Sequence, residues 1–201
     1  MKNDATDQDE EHDGLREKKR KETLHRIAET GLSLFLANGY EATTLDAIAK
    51  AAGVSRRTIF HYFESKEEIL LAYQSGIGEM IRTAVLQEPT DQTPLDAVLN
   101  ALVKLNARFN SEQMIAIDRL LRSTEQLRAR KHAKYMQQEQ TLFEALCQMW
   151  PQPERRNALR VAAMMSIGAL RLAIDAWADE GGKQSPQKYL REAFANLKTE
   201  L

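Results

Sequence analysis

TTLDAIAKAAGVSRRTIFHYFESK, Thr43 to Lys66, decides how the rest of this chain is read. Leu45, Ile48, Ala49 and Ala52 recur at helical spacing and run into Gly53-Val54-Ser55, after which a second short helix is expected over Arg56 to Tyr62. Glycine reverses the first helix at low steric cost, Val54 plugs the space between the two, and the Ser55 hydroxyl caps the second. This is the pattern of a helix-turn-helix. The second helix opens with Arg56-Arg57-Thr58, two guanidinium forks and a hydroxyl at the end that would enter a DNA major groove.

Working outward, the chain of 201 residues is rich in helix formers, with only nine glycines and five prolines, and 43% of its residues are hydrophobic. It has ample material for a core, and the scarcity of β-branched runs points to an all-α fold. Nine helices are expected, three in a helix-turn-helix domain over 17–65 and six in a helical domain over 66–201. The acidic start, residues 1–16, is polar and unpatterned and reads as a disordered tail. It is unlike a basic, apolar secretory signal. The single cysteine, Cys147, excludes an internal disulfide and fits a reducing, cytoplasmic compartment.

The first helix starts near Glu17, places Leu24, Ile27, Ala28, Leu32, Phe35 and Leu36 on its inner side and stops at Asn38-Gly39. Ser65 to Glu68 form a capping box that opens a long helix to about Gln87. Thr93-Pro94 starts another, Ser111 to Arg122 a third, and a long one runs to Trp150 before Pro151 and Pro153. The most apolar element spans about Glu154 to Asp179; its Arg160, Arg171 and Asp175 argue for a helix buried in protein, not in a membrane. A last helix covers Ser185-Pro186 to about Lys198.

Charge is uneven although the net is -1. Residues 1–14 hold one lysine against six acids; residues 15–66 hold ten Lys/Arg against six acids, ten minus six giving +4. Positive charge thus gathers on the segment with the helix-turn-helix, as phosphate binding requires and as a solvated face also permits. Lys18, Lys19, Arg20 and Lys21 belong to it.

Ala37-Asn38-Gly39-Tyr40, Thr43-Thr44, Ile48-Ala49, Ala52-Gly53-Val54-Ser55, Thr58, His61-Tyr62-Phe63 and Ser65-Lys66-Glu67 together resemble the tetracycline-repressor (TetR) family of bacterial regulators. The resemblance covers about Ile27 to Leu71. It implies an all-α homodimer with a carboxy-terminal domain that binds a small ligand among its middle helices and dimerises through its last two. The reading helix and the apolar helix over Ala158 to Trp177 are similar to members with acyl-coenzyme-A-like or lipophilic ligands. Phe60 departs from the pattern, since the family usually has tyrosine there; a phenyl ring packs or touches thymine methyl and sugar but donates no hydrogen bond.

Candidate DNA contacts are therefore Thr44, Arg56, Arg57, Thr58, Phe60, His61, Tyr62 and Lys66. The two arginines suit guanine O6 and N7 or else phosphate, and Thr44 and Lys66 suit phosphate. Candidate ligand contacts are Phe109, Met114, Tyr135, Phe143, Trp150, Met164, Met165, Arg171 and Trp177; the Met and aromatic positions among them are more often core at this spacing, so few need be contacts. Arg171 and Asp175, four apart and so neighbours on one helix face, are read as pairing within or across a dimer interface or as an anchor for a polar ligand group. The run Arg128, Arg130, Lys131, His132, Lys134 is read as a solvated face, with ligand phosphate as the alternative.

Scattered histidines give no metal spacing, no cofactor is implied, and no nucleophile–base–acid spacing supports catalysis. The expected partners are a palindromic operator in double-stranded DNA, a small molecule and a second copy of the chain, with no membrane. The competing reading is a helical ligand-binding or interaction protein without specific DNA binding.

Overall fold

A computed structural model describes the backbone of residues 4–200 and the side chains of residues 14–73 and 76–200. Among these residues there are nine α-helices: α1 (Asp4–Asn38), α2 (Leu45–Ala51), α3 (Arg56–Tyr62), α4 (Lys66–Leu86), α5 (Pro94–Asn106), α6 (Ser111–Arg122), α7 (Glu125–Met149), α8 (Arg156–Asp179) and α9 (Pro186–Thr199). A 3-10 turn at Pro153–Arg155 leads into α8. The all-α expectation holds, with one change at the start. Residues 1–3 of the expected disordered tail lie outside the described residues, and from Asp4 the chain is already part of α1. Its Glu, Lys, Arg and Ala residues favour helix, no proline interrupts it, and its two glycines, Gly14 and Gly31, oppose it by about 1 kcal/mol each.

The chain forms two compact units, 1–75 and 76–201, so the division falls within α4 and not at the expected 65/66 boundary. The reason is packing, because Ile69 and Leu70 on the first turns of α4 are buried with the first unit's core. That core comprises Ile27, Ala28, Leu32 and Phe35 of α1, Ile48 and Ala49 of α2, Ile59 of α3, and Phe63. Gly31 lets the helices close in: a Cβ there would lie 2.5 Å from Cγ2 of Ile69. Leu36, expected on the inner side, lies on the exposed side of α1.

In the second unit α8 packs against α9, α7, α5 and α6. Leu159, Ala163, Ile167, Leu170, Ala173 and Trp177 give it a buried face with helical period. By length and composition it could cross a membrane. Its place in this bundle, and the cation–π stacking of Arg160 4.8 Å over Phe143, make it a core helix instead. Thr93-Pro94 opens α5 as read, with Oγ1 of Thr93 accepting from the Asp96 amide at 3.2 Å. Asn110 caps α6 and Thr124 caps α7 in the same way.

Candidate functional site

The reading head is built from two caps and a turn. Thr44 caps α2 by accepting from the Ala47 amide at 3.1 Å, and Ser55 caps α3 by accepting from the Thr58 amide at 3.0 Å. Between them Gly53 sits at φ +67, a left-handed conformation that costs other residues about 1 kcal/mol or more, while the Val54 amide bonds back to the Ala49 carbonyl. Thr43 is the buried threonine of the Thr43-Thr44 pair; its hydroxyl donates 2.8 Å to the Gly39 carbonyl and ties the α1–α2 turn.

With Ile59 facing the core, the opposite side of α3 presents Arg56, Arg57, Phe60 and His61, all exposed. Arg56 is oriented: Nε lies 3.2 Å from Oδ1 of Asp46 on α2, and its guanidinium sits 5.7 Å over the Phe60 ring. Phe60 is 47% exposed, with only the Arg56 guanidinium over its ring. Thr58 is half-buried, and its hydroxyl lies 2.7 Å from that of Ser55, so it belongs to the cap. Tyr62 is half-buried, with His61 edge-on to its ring at 5.3 Å.

Lys66 differs most from the expected phosphate donor. Its ammonium donates to the Tyr40 carbonyl at 2.8 Å and sits 4.5 Å over the Tyr40 ring, so it closes the α1–α2 turn. Nothing in the sequence announces that contact, which spans 26 residues. On α1, Lys18, Lys19, Arg20 and Lys21 are exposed, with Arg20 and Lys21 sharing Glu17.

The expected ligand residues separate into three groups. Trp177, Trp150 and Phe143 are buried in the core, and the indole N–H of Trp177 donates 2.9 Å to the Gln184 carbonyl; they stabilise the bundle because large rings with a satisfied polar tip fill it. Phe109, Met114 and Tyr135 are half-buried against that core. Met164 is 54% exposed on the outer face of α8 and Met165 is half-buried.

Within the chain Arg171 and Asp175 form no ion pair with each other. Asp175 instead receives Nη2 of Arg122 at 2.9 Å and Nζ of Lys131 at 2.8 Å, in a network completed by Asp118 and Asp179. Lys131 is thus buried, against the solvated-face reading of its basic run; its neighbours Arg128, Arg130 and His132 are exposed. Burial works against the Arg122 charge, but Asp118, Asp175 and Asp179 outweigh it and hold the guanidinium above its ordinary value. Burial, and then Lys131, pull the Lys134 ammonium down to about 8. Burial also raises the Tyr135 phenol, helped by Asp175 and Asp118.

The profile of tetR-family bacterial regulatory proteins matches residues 27–73, and that of the MftR C-terminal domain matches residues 92–201, more than half of the chain. The chain belongs to the TetR family. Among relatives, the HTH-type transcriptional regulator TcmR of Streptomyces glaucescens is 37% identical over 105 residues, which are 52% of this chain and 46% of TcmR, so the match spans less than half of that relative. Two solved TetR-type folds are similar across most of the chain. The fatty acid degradation regulator FadR of Bacillus halodurans has TM-score 0.59 at 21% identity, covering 86% of this chain and 93% of its own. Thermus thermophilus FadR, solved with lauroyl-CoA, has TM-score 0.54 at 24% identity, covering 86% and 91%.

Proposed function

We propose that this TetR-family regulator is a homodimeric, sequence-specific DNA-binding repressor whose release from a near-palindromic operator is driven by a small lipophilic ligand in its second unit. The observation that carries the reading is the exposed face of α3, where Arg56, Arg57, Phe60 and His61 stand clear of a closed core. Two guanidiniums there suit guanine edges, and the bare ring of Phe60 suits a thymine methyl. Thr44 keeps a hydroxyl proton for a phosphate while it caps α2. With Lys66 engaged by Tyr40, the exposed lysines and arginine at 18–21 are the better backbone contacts.

Val161, Met164 and Leu172 leave an apolar stripe exposed on α8, at 47%, 54% and 62%, which supports pairing of two copies through this helix and α9. A two-fold dimer would set its reading helices about 34 Å apart, one DNA turn. Because α4 runs through both compact units, a ligand need only favour one of two states of the second unit to bias DNA binding. The likeness in fold to a regulator solved with lauroyl-CoA supports a lipophilic ligand.

The test is selection of bound fragments from a random DNA pool by purified protein, followed by titration of the selected site. One preferred palindrome is expected, with Arg57→Ala losing about 1–3 kcal/mol of discrimination at one base position per half-site. Salt-dependent binding without sequence preference, or an Arg57→Ala variant that reads the site unchanged, overturns it.

A further inference from the structure

Along α7 the positions that turn inward are Leu127, Lys131, Lys134, Gln138, Leu142 and Ala145, apolar at both ends and polar in the middle. Lys131 is accounted for by Asp118 and Asp175. The next two are less well matched. Lys134, half-buried, forms no ion pair among the described residues and has the Tyr135 ring 6.0 Å from its ammonium, and Oε1 of Gln138, a residue 4% exposed, has no hydrogen-bond partner. On α8, Ser166 is wholly buried and its hydroxyl is likewise unpartnered.

These groups lie at one level of the bundle. Helices α7 and α8 are antiparallel, with Lys131 bonded to Asp175 at one end and Phe143 under Arg160 at the other. Interpolating that register sets Ser166 beside Gln138 and Arg171 beside Lys134; the field of Arg171 is felt at Tyr135, next to Lys134. A buried polar atom without a partner costs about 1–3 kcal/mol, so two at one level call for a partner. Lys134 feels Lys131 and, oppositely, Asp118, while both of those are already bonded, Lys131 to Asp118 and Asp175 and Asp118 also to Arg122.

We propose that Lys134, Gln138 and Ser166 receive the head of a hydroxylated apolar monocarboxylic acid, the carboxylate on Lys134 and Ser166 and the ligand hydroxyl donating to Oε1 of Gln138. This rests on the reading of the second unit as a small-molecule sensor and narrows its ligand. A carboxylate gives the Lys134 ammonium the ion pair it lacks, and a hydroxyl supplies the donor that the amide oxygen lacks. Half-buried Ile77, Met114 and Ile174 pack around the same core and suit an apolar body. The lowered Lys134 value fits a cation awaiting an anion.

Calorimetric titration of the full chain with 3-hydroxydodecanoate, dodecanoate and 1,3-dodecanediol separates the contributions, and 3-hydroxy-2-naphthoate tests an aromatic body. A hydroxy acid of either body is expected to bind about tenfold or more tighter than the diol. Lys134→Met should abolish the preference over the diol, and Gln138→Leu only the preference over dodecanoate; Lys134→Arg should keep both. A diol that binds as well as the acids, or a preference that survives Lys134→Met, overturns the assignment. If none of the acids binds while a neutral compound still releases the protein from its selected DNA site, the sensor reading stands and the carboxylate assignment falls.

Discussion

Replacing Gly31 with alanine sets two known quantities against each other. The new methyl would lie 2.5 Å from Cγ2 of Ile69 and 3.5 Å from Cδ1 of Ile48. Both isoleucines are fully buried, so neither can swing into solvent. Alanine in place of glycine inside a helix gains about 1 kcal/mol of propensity. Forcing a methyl into a close-packed core costs about 1–3 kcal/mol, and a contact this short belongs at the upper end. The expected net loss is about 1–2 kcal/mol, roughly a 5–30-fold change in the opening equilibrium of the first unit. Amide hydrogen exchange on the full chain reads this directly. Protection of the Ile48 and Ile59 amides, which bond to the Thr44 and Ser55 carbonyls, should fall by that factor while α8 keeps its protection. Ile69→Leu removes the offending Cγ2, so Gly31→Ala in that background should be neutral or stabilising. Raised protection in the single variant, or no relief from Ile69→Leu, would refute the packing argument.

Asp118→Ala leaves Lys131 buried with Asp175 alone and should cost about 3–5 kcal/mol, seen as a lower urea midpoint, whereas the double change Asp118→Leu with Lys131→Met should recover most of it. Lys134 has a folded pKa of about 8 against an ordinary 10.5, so between those values the unfolded chain holds more protons and stability should rise with pH; thermal unfolding across that window should show the rise, and Lys134→Met should flatten it. Ser55→Ala removes the acceptor 3.0 Å from the Thr58 amide and should weaken α3 by about 1 kcal/mol, read as faster amide exchange confined to the reading helix.

What the sequence discloses here is what is local. The caps at Ser55 and Thr93, the turn at Gly53 and the helical period of α8 depend on neighbours within a few positions and appear as read, and the period of α1 does so except at Leu36. The capping box at Ser65 is displaced slightly: Glu68 reaches back to the Glu64 amide at 2.6 Å rather than to Ser65. What stays hidden is long-range. Four-residue spacing offered Arg171 as the partner of Asp175, yet Arg122 and Lys131 arrive from two other helices. Lys131 sits in a basic run that reads as solvated because a run of like charge says nothing about which of its members α7 turns inward. The Lys66 clamp on Tyr40 depends on how α4 meets the α1–α2 turn. Aromatic residues offered as pocket could not be told from core, since both are apolar at the same spacing, and Trp177 proves to be core.

Helix α4 holds two glycines, Gly76 and Gly78, just past the division between the compact units. Packing asks for neither: a methyl at Gly76 would meet nothing within 4 Å, and one at Gly78 would make ordinary contact with Gln138 and Thr141 at 3.8 Å. Each still lowers helix propensity by about 1 kcal/mol relative to alanine. Together they take about 2 kcal/mol of helix propensity from this turn of α4 relative to alanine, a softening set by composition and not by packing.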